Sequence, residues 1–305
     1  MKHVTISVPG KIHVIGEHTV VYGKPALLSA INLRVSVTIK ESKQDRIISS
    51  KAQKIKSIIE TIVKNKFALK KIPSYSLSIQ SKIFSGAGLG SSAAVSAAYS
   101  AALLEYLHIP WDKKVINDLA FEADKIFNGN PSGGDNTTVV YGGIIQFQKD
   151  KKFRTMPASI VRNFVLLNSG KPKESTAEMV KNVANYSVEN PKKFKKILID
   201  QEKLTLQMHD VLIKGSDTFL ITTIRRAQKN LEDLGVVSKR SQALIQAIEH
   251  FGGAAKISGG GGIKGGTGML VCFAKDSESI INFAKKNNVN YFPVQLAQEG
   301  LRREI

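Results

Sequence analysis

The sequence predicts an α+β protein built from two domains that meet near residue 160. A chain of 305 residues with 42% apolar and 23% charged residues can bury a sizeable core, as globular proteins do. The first half alternates strand patterns with glycine-containing loops and helices. The second half is mainly helical from Thr176 to about His250 and then returns to strands. This change of pattern assigns residues 1–160 to one domain and residues 161–305 to the other.

Hydrophobic periodicity locates the elements of the first half. Alternating or β-branched residues predict strands at Val4–Val8, Leu33–Ile39 and Ser74–Ile79. The helical period predicts helices at Ser92–Leu107 and Asp112–Phe127, and Asp112 is a plausible cap of the second helix. The other predicted elements are strands at Ile144–Gln148, Phe164–Leu167, Ala254–Ile257, Met269–Phe273 and Tyr291–Gln295, and a helix at Ser277–Lys286.

The charge balance favours anionic partners. A net charge of +19 attracts nucleotides, carboxylate metabolites or nucleic acid. The lysine clusters lack the interleaved aromatic residues that stack on bases, so a solvated surface is the favoured interpretation and no nucleic-acid partner is expected. The segment Met1–Gly10 has no apolar stretch that would suit a signal peptide, and Ala93–Leu104 is too short and polar to span a membrane. Together with the single cysteine, Cys272, this predicts a cytoplasmic protein without a membrane partner.

The strongest chemical signal is the segment Ser85–Ala94. Glycines at alternate positions, Gly86, Gly88 and Gly90, let the backbone approach a ligand, and the helix that follows directs free N–H groups at it. These features predict an anion cradle, although a glycine-rich turn before a packed alanine helix has the same pattern. No lysine follows the glycines, so the segment is not a P-loop.

Three further segments carry candidate functional residues. Pro9–Gly23 contains Lys11, Glu17 and His18, for which a surface hairpin with ordinary charges is the alternative. Gly129–Asn136 reads as a tight loop that delivers Asp135, either as a general base or as a helix cap. In the fourth segment, Lys256–Gly268, seven glycines in ten residues indicate backbone that closes over a ligand, or else a merely flexible loop.

In combination and in order, these segments resemble the GHMP kinase family, and within it the mevalonate kinases. The resemblance rests on Gly16-Glu17-His18 followed by Val20-Val21-Tyr22-Gly23, then on Gly86–Ala94 and Gly129–Asn136. It implies a ribosomal-protein-like N-terminal domain, a ferredoxin-like C-terminal domain and an active site between them. It also implies that ATP phosphorylates mevalonate with the help of Mg²⁺, as a step of isoprenoid biosynthesis, and it is compatible with a homodimer.

The resemblance assigns roles to individual residues. Asp135 takes the proton of the attacking hydroxyl, and Lys11 orients that carboxylate and offsets charge on the transferring group. Ser92 helps to hold magnesium, and Glu17, His18 and Thr176 contact the acceptor. The residues expected to wrap the ATP phosphates are Gly86, Ala87, Gly88, Leu89, Gly90, Ser91 and Ser92.

The sequence departs from the family pattern at two places. The magnesium carboxylate is usually a glutamate, but Asp124 stands at that position, so either Asp124 or the neighbouring Glu122 is the ligand. On a helical wheel Glu122 lies nearer the apolar face of the helix than Asp124 does. The last glycine loop carries two extra residues, Ile263 and Lys264, and Lys264 either binds an anionic substrate or points to water. Other acceptors of the family, such as phosphomevalonate, galactose or homoserine, and a non-catalytic binding protein remain alternatives.

Overall fold

A computed structural model describes residues 3–47, 50–129, 131–156 and 162–304. The predicted domain junction at residue 160, and Asn130 within the predicted loop Gly129–Asn136, lie outside the described residues. The predicted α+β class is confirmed, because helices pack on two separate β-sheets.

The first sheet is organised around two long antiparallel strands, β1 and β2. Its strands are β1 (His3–Ile15), β2 (Ala26–Glu41), β3 (Arg46–Ile47), β4 (Tyr75–Ser81), β5 (Ile144–Phe147), β6 (Arg154–Met156) and β11 (Arg302–Glu304). The main order is β11-β1-β2-β4-β3, and β5 pairs with the beginning of β2 and with β6. The C-terminal strand β11 therefore joins the sheet of the first half.

The second sheet has four antiparallel strands in the order β10-β7-β9-β8. Its strands are β7 (Asn163–Asn168), β8 (Ala254–Ile257), β9 (Met269–Phe273) and β10 (Tyr291–Gln295). Every residue of β8 and β9 is buried, as expected for β9, which reads as a continuous apolar run, whereas β8 also buries Lys256. Cys272 lies in β9, within the predicted strand Met269–Phe273, and is buried.

Nine α-helices are described, and they cover both sheets, while Thr19–Tyr22 form a short 3-10 helix after β1. The α-helices are α1 (Ser50–Phe67), α2 (Ser91–Tyr106), α3 (Lys113–Asn128), α4 (Gly134–Tyr141), α5 (Thr176–Glu189), α6 (Pro191–Lys214), α7 (Asp217–Asp233), α8 (Lys239–His250) and α9 (Ser277–Lys286). The alanine-rich α2 is buried along most of its length, because small side chains allow close packing against the sheet and α3. Asp112 caps α3 by accepting from the Val115 amide, as predicted. None of the described helices has the length and apolarity needed to cross a membrane.

Candidate active site

A cleft of about 1260 Å³ brings the four singled-out segments together. Its walls include Lys11 and Glu17 from the end of β1, the glycine loop before α2, and Asp135 from α4. The opposite wall comes from the second half, with residues around Thr176 and Ser258–Gly261. Residues distant in the sequence therefore line one cavity. Only the resemblance to the family predicted that these segments share a site.

The loop before α2 has the backbone geometry that glycine allows. Gly86, Gly88 and Gly90 have φ angles of 70°, 80° and 69°, and Gly90 is the N-cap of α2. The first N–H groups of this helix have no partner within the helix, so its N-terminus at Ser91 and Ser92 suits an anion in the cleft. A Cβ on Gly88 would lie 2.1 Å from the Ser258 carbonyl oxygen. The loop is thus packed against the second glycine loop as well as shaped for a ligand.

This packing changes what glycine substitutions in the loop are expected to do. Gly86 has open space around its Cβ position, so Gly86→Ala should lower the free energy of unfolding only by the cost of a left-handed alanine, about 1–2 kcal/mol. Gly88→Ala adds the clash with Ser258 and should cost about 3–4 kcal/mol. Urea denaturation of both variants measures the difference, and equal losses would contradict the observed contact between the two loops.

Lys11 and Asp135 form an ion pair at the floor of the cleft. The Lys11 Nζ lies 3.1 Å from Asp135 Oδ1, with the lysine side chain buried and the aspartate side chain 33% exposed. The sequence predicted a tight loop at Asp135, but this residue lies in the first turn of α4, whose N-cap is Gly133 with φ 88°. The prediction of a loop was wrong because α4 has only eight residues, too few for a clear helical period.

His13 was not among the predicted site residues, and it is a buried neighbour of this pair. Its Nδ1 lies 3.0 Å from the Lys11 Nζ. Burial lowers the pKa of His13 well below its usual value, and the positive charges of Lys11 and Lys256 lower it further. The imidazole is therefore neutral, and its Nδ1 accepts a hydrogen bond from the Lys11 ammonium.

Glu17 and His18 both present an acceptor atom that the described residues leave unpaired. Glu17 Oε1 accepts from the Lys256 ammonium, whereas Oε2 is buried without a partner in the part of the chain described here. His18 Nε2 lies 3.0 Å from the Gly260 carbonyl oxygen and donates to it. Burial lowers the pKa of His18 to about 4, so the ring is neutral and its buried Nδ1 is an acceptor. Two such acceptors suit a ligand that donates hydrogen bonds, such as an alcohol.

Asp124 rather than Glu122 faces the cleft. Asp124 is buried, and the Ser92 hydroxyl lies 3.4 Å from its Oδ1. Glu122 is 54% exposed and pairs with Lys125 at 2.8 Å on the surface. The helical wheel places Glu122 nearer the apolar face than Asp124, because a wheel reflects only apolar packing. The side of α3 that carries Asp124 instead meets the polar start of α2 at Ser92. Carboxylate and hydroxyl oxygens are suitable ligands for Mg²⁺.

The residues described contain no cluster of three or more His, Cys, Asp or Glu side chains that could hold a metal by themselves. Mg²⁺ usually takes one or two carboxylates together with substrate phosphates and water, so the Ser92–Asp124 pair fits this ion without such a cluster.

Thr176 and the last glycine loop form the opposite wall. Thr176 is the first residue of α5 and lies against Gly260, where an added Cβ would be 3.2 Å from its Oγ1. Glu174 accepts from the amides of Ile263 and Lys264 at 3.2 and 3.1 Å. Ile263 and Lys264 therefore contact Glu174 through their backbone, and the Lys264 side chain is exposed. This arrangement supports the alternative in which the Lys264 side chain points to water.

The sequence is similar to proteins of a known family. A family model described as the GHMP kinases N terminal domain matches residues 53–143. A mevalonate kinase of Archaeoglobus fulgidus is 36% identical over 262 residues, which cover 84% of this chain and 88% of that protein.

Two solved structures share the fold. The crystal structure of the Methanococcus jannaschii mevalonate kinase superposes with a TM-score of 0.82 at 21% identity, over 97% of this chain and 99% of that one. The L. major mevalonate kinase in complex with R-mevalonate has a TM-score of 0.80 at 23% identity, over 95% of each chain. On the identity to the archaeal relative and the extent of that match, the chain belongs to the GHMP kinase family, in the group that contains the mevalonate kinases.

Proposed function

We propose that the chain transfers the terminal phosphoryl group of ATP to the hydroxyl of mevalonate and forms 5-phosphomevalonate. The observation that carries this proposal is the Lys11–Asp135 pair, which lies in a cleft shared with a glycine loop at a helix N-terminus. Phosphoryl transfer depends mainly on positioning and on neutralisation of charge, and this arrangement supplies both.

Each group has a distinct part in the reaction. Asp135 accepts the hydroxyl proton as the alcohol oxygen bonds to the γ-phosphorus, and the bond from that phosphorus to the bridging oxygen breaks to release ADP. Lys11 holds the Asp135 carboxylate in place and offsets negative charge on the group in transfer. The backbone of Gly86–Ser92 and the start of α2 bind the phosphates. Ser92 and Asp124 would hold Mg²⁺, which neutralises phosphate charge when bound.

An anionic alcohol is the acceptor class that suits the charged residues lining the cleft. Lys149, Lys171 and Lys181 line it, and in the described parts of the chain none of the three pairs with a carboxylate. Positive charges that lack an internal counter-ion favour a ligand carboxylate. Glu17 and His18 present acceptors to a hydroxyl group that does not donate to Asp135. Mevalonate combines these two features, and it is the substrate after which the relatives are named.

The decisive experiment is an acceptor panel. Purified protein with ATP and Mg²⁺ is incubated with mevalonate, phosphomevalonate, galactose or homoserine, and ADP release is measured together with the mass of the product. We expect turnover with mevalonate only. Turnover with a different acceptor would reassign the substrate within the family, and binding of ATP without turnover on any acceptor would favour a non-catalytic protein. A homodimer and a cytoplasmic location stay predictions.

The metal carboxylate is tested by a matched pair of variants on α3. Asp124→Asn removes the buried carboxylate beside Ser92 and should raise the Mg²⁺ concentration for half-maximal activity by about 10-fold or more. Glu122→Gln changes an exposed residue paired with Lys125 and should leave that concentration unchanged within about 2-fold. The reverse ranking would move the ligand to Glu122.

A further inference from the structure

A buried lysine of the second half, Lys256, holds a residue of the first half. Its ammonium contacts Glu17 Oε1, the His13 carbonyl oxygen at 3.3 Å and the Ile257 carbonyl oxygen at 2.7 Å. All three atoms are acceptors only, and a protonated amine has three N–H donors to match them. The side chains of Lys256 and Glu17 are each 1% exposed. The pair is thus a fully buried ammonium and carboxylate.

The contact belongs to a row of hydrogen bonds between residues 13–18 and residues 256–260. The His13 amide donates to the Ser258 hydroxyl at 3.0 Å, and His18 Nε2 donates to the Gly260 carbonyl at 3.0 Å. Lys256 and Glu17 form the one ion pair of this row among the described residues, and this contact holds Glu17 Oε1. One oxygen of Glu17 is therefore fixed, and the direction of the other follows from it.

We propose that Lys256 is a positioning residue, which fixes the Glu17 carboxylate so that Oε2 accepts a hydrogen bond from the hydroxyl of the acceptor that does not donate to Asp135. Glu17 Oε2 is buried, has no partner within the described residues and belongs to a residue that lines the cleft. A buried carboxylate oxygen without a hydrogen bond is costly, and a bound hydroxyl removes that cost. The inference rests on the proposed kinase function, because it assigns the unpaired oxygen to that acceptor.

The variant Lys256→Met keeps most of the side-chain volume and removes the charge. We expect the KM for mevalonate to rise by about 10- to 100-fold, the usual effect of a lost hydrogen bond to a charged group, while the KM for ATP stays within about 3-fold.

Burial raises the pKa of Glu17, and attraction to Lys256 opposes that shift. Without the lysine the Glu17 pKa rises further. Activity requires the ionised carboxylate and is lost as the pH falls through this pKa, so the acidic limb of the pH profile should move to higher pH.

Two controls separate positioning from mere stability. Lys56→Met removes another buried lysine, which pairs with Asp45 and Glu60, and should lower stability without moving the acceptor KM or the pH profile. The double variant Lys256→Met/Glu17→Gln removes both charges of this buried pair and should recover stability but not the acceptor KM.

The outcomes are distinct from those of the acceptor panel. The proposal would be overturned if the Lys256→Met variant were less stable but kept the acceptor KM and the pH profile of the wild type. If Lys256→Met does not fold, the single variant Glu17→Gln tests the proposal. An unchanged KM for the acceptor in that variant would show that the Glu17 carboxylate does not bind the acceptor, and the positioning role of Lys256 would be overturned. An inactive wild-type protein counts instead against the proposed function.

Discussion

Replacing Asp135 with Asn is expected to lower turnover by about 10²- to 10⁴-fold, the usual loss when a general base is removed. Asparagine keeps the size of the side chain but neither accepts the hydroxyl proton nor carries the charge that pairs with Lys11. Asp135 lies in the first turn of α4, where a negative charge contributes about 0.3–1 kcal/mol, and its loss also leaves the buried Lys11 ammonium without its counter-ion, so the free energy of unfolding should fall by more than that amount. Steady-state kinetics measures the loss of turnover, and thermal denaturation measures the change in the free energy of unfolding.

Asp118→Asn is the matched control for this variant. Asp118 also pairs with a lysine, Lys114 at 2.9 Å, but on the exposed surface of α3. Exposed pairs contribute little, so turnover should stay within about 2-fold of the wild type. If Asp135→Asn remained equally active, Asp135 would be a structural residue of α4 and the proposed mechanism would fail.

Replacing Lys11 with Met is expected to lower kcat by about 10²- to 10³-fold, comparable to the loss of a preorganised charged donor. The ammonium is buried, where its interaction with the transferring group is stronger than it would be in water. Methionine keeps most of the apolar stem, which lies next to Gly90, so the start of α2 should stay in place. Single-turnover kinetics with saturating ATP isolates the chemical step.

Lys24→Met is the control, because Lys24 pairs with Glu202 at 2.6 Å in a partly exposed position and should tolerate the change. The double variant Lys11→Met/Asp135→Asn should lose about as much activity as Asp135→Asn alone, since residues that act as a unit are not additive. Fully additive losses would mean that the two residues serve separate steps.

Much of the fold was predictable because local pattern and final burial agree. The predicted bounds of β8, β9, β10 and α9 match the observed elements, since the three strands are mostly apolar and α9 has a clear helical period. Helix α1 was missed, because its many lysines weaken the apolar signal although one face packs on the core. The strand β11 has three residues, and its existence depends on pairing with β1 at the other end of the chain.

The sequence by itself determined which residues are candidates. Glycines at alternate positions before an alanine-rich helix indicate a phosphate loop, and the order of the segments carries the family resemblance. These properties are readable because each depends on neighbouring residues and on the backbone conformations that glycine allows.

The tertiary structure alone decided how the candidates meet. Lys256 reads as an ordinary lysine, although a charge within the buried strand Ala254–Ile257 was a signal that could have been used. Its partner Glu17 lies 239 residues earlier in the chain. The choice between Asp124 and Glu122 likewise depends on where α3 meets the start of α2. Pairings of this kind follow from the packing of distant elements, and local periodicity carries no information about which polar side of a helix will face a cleft.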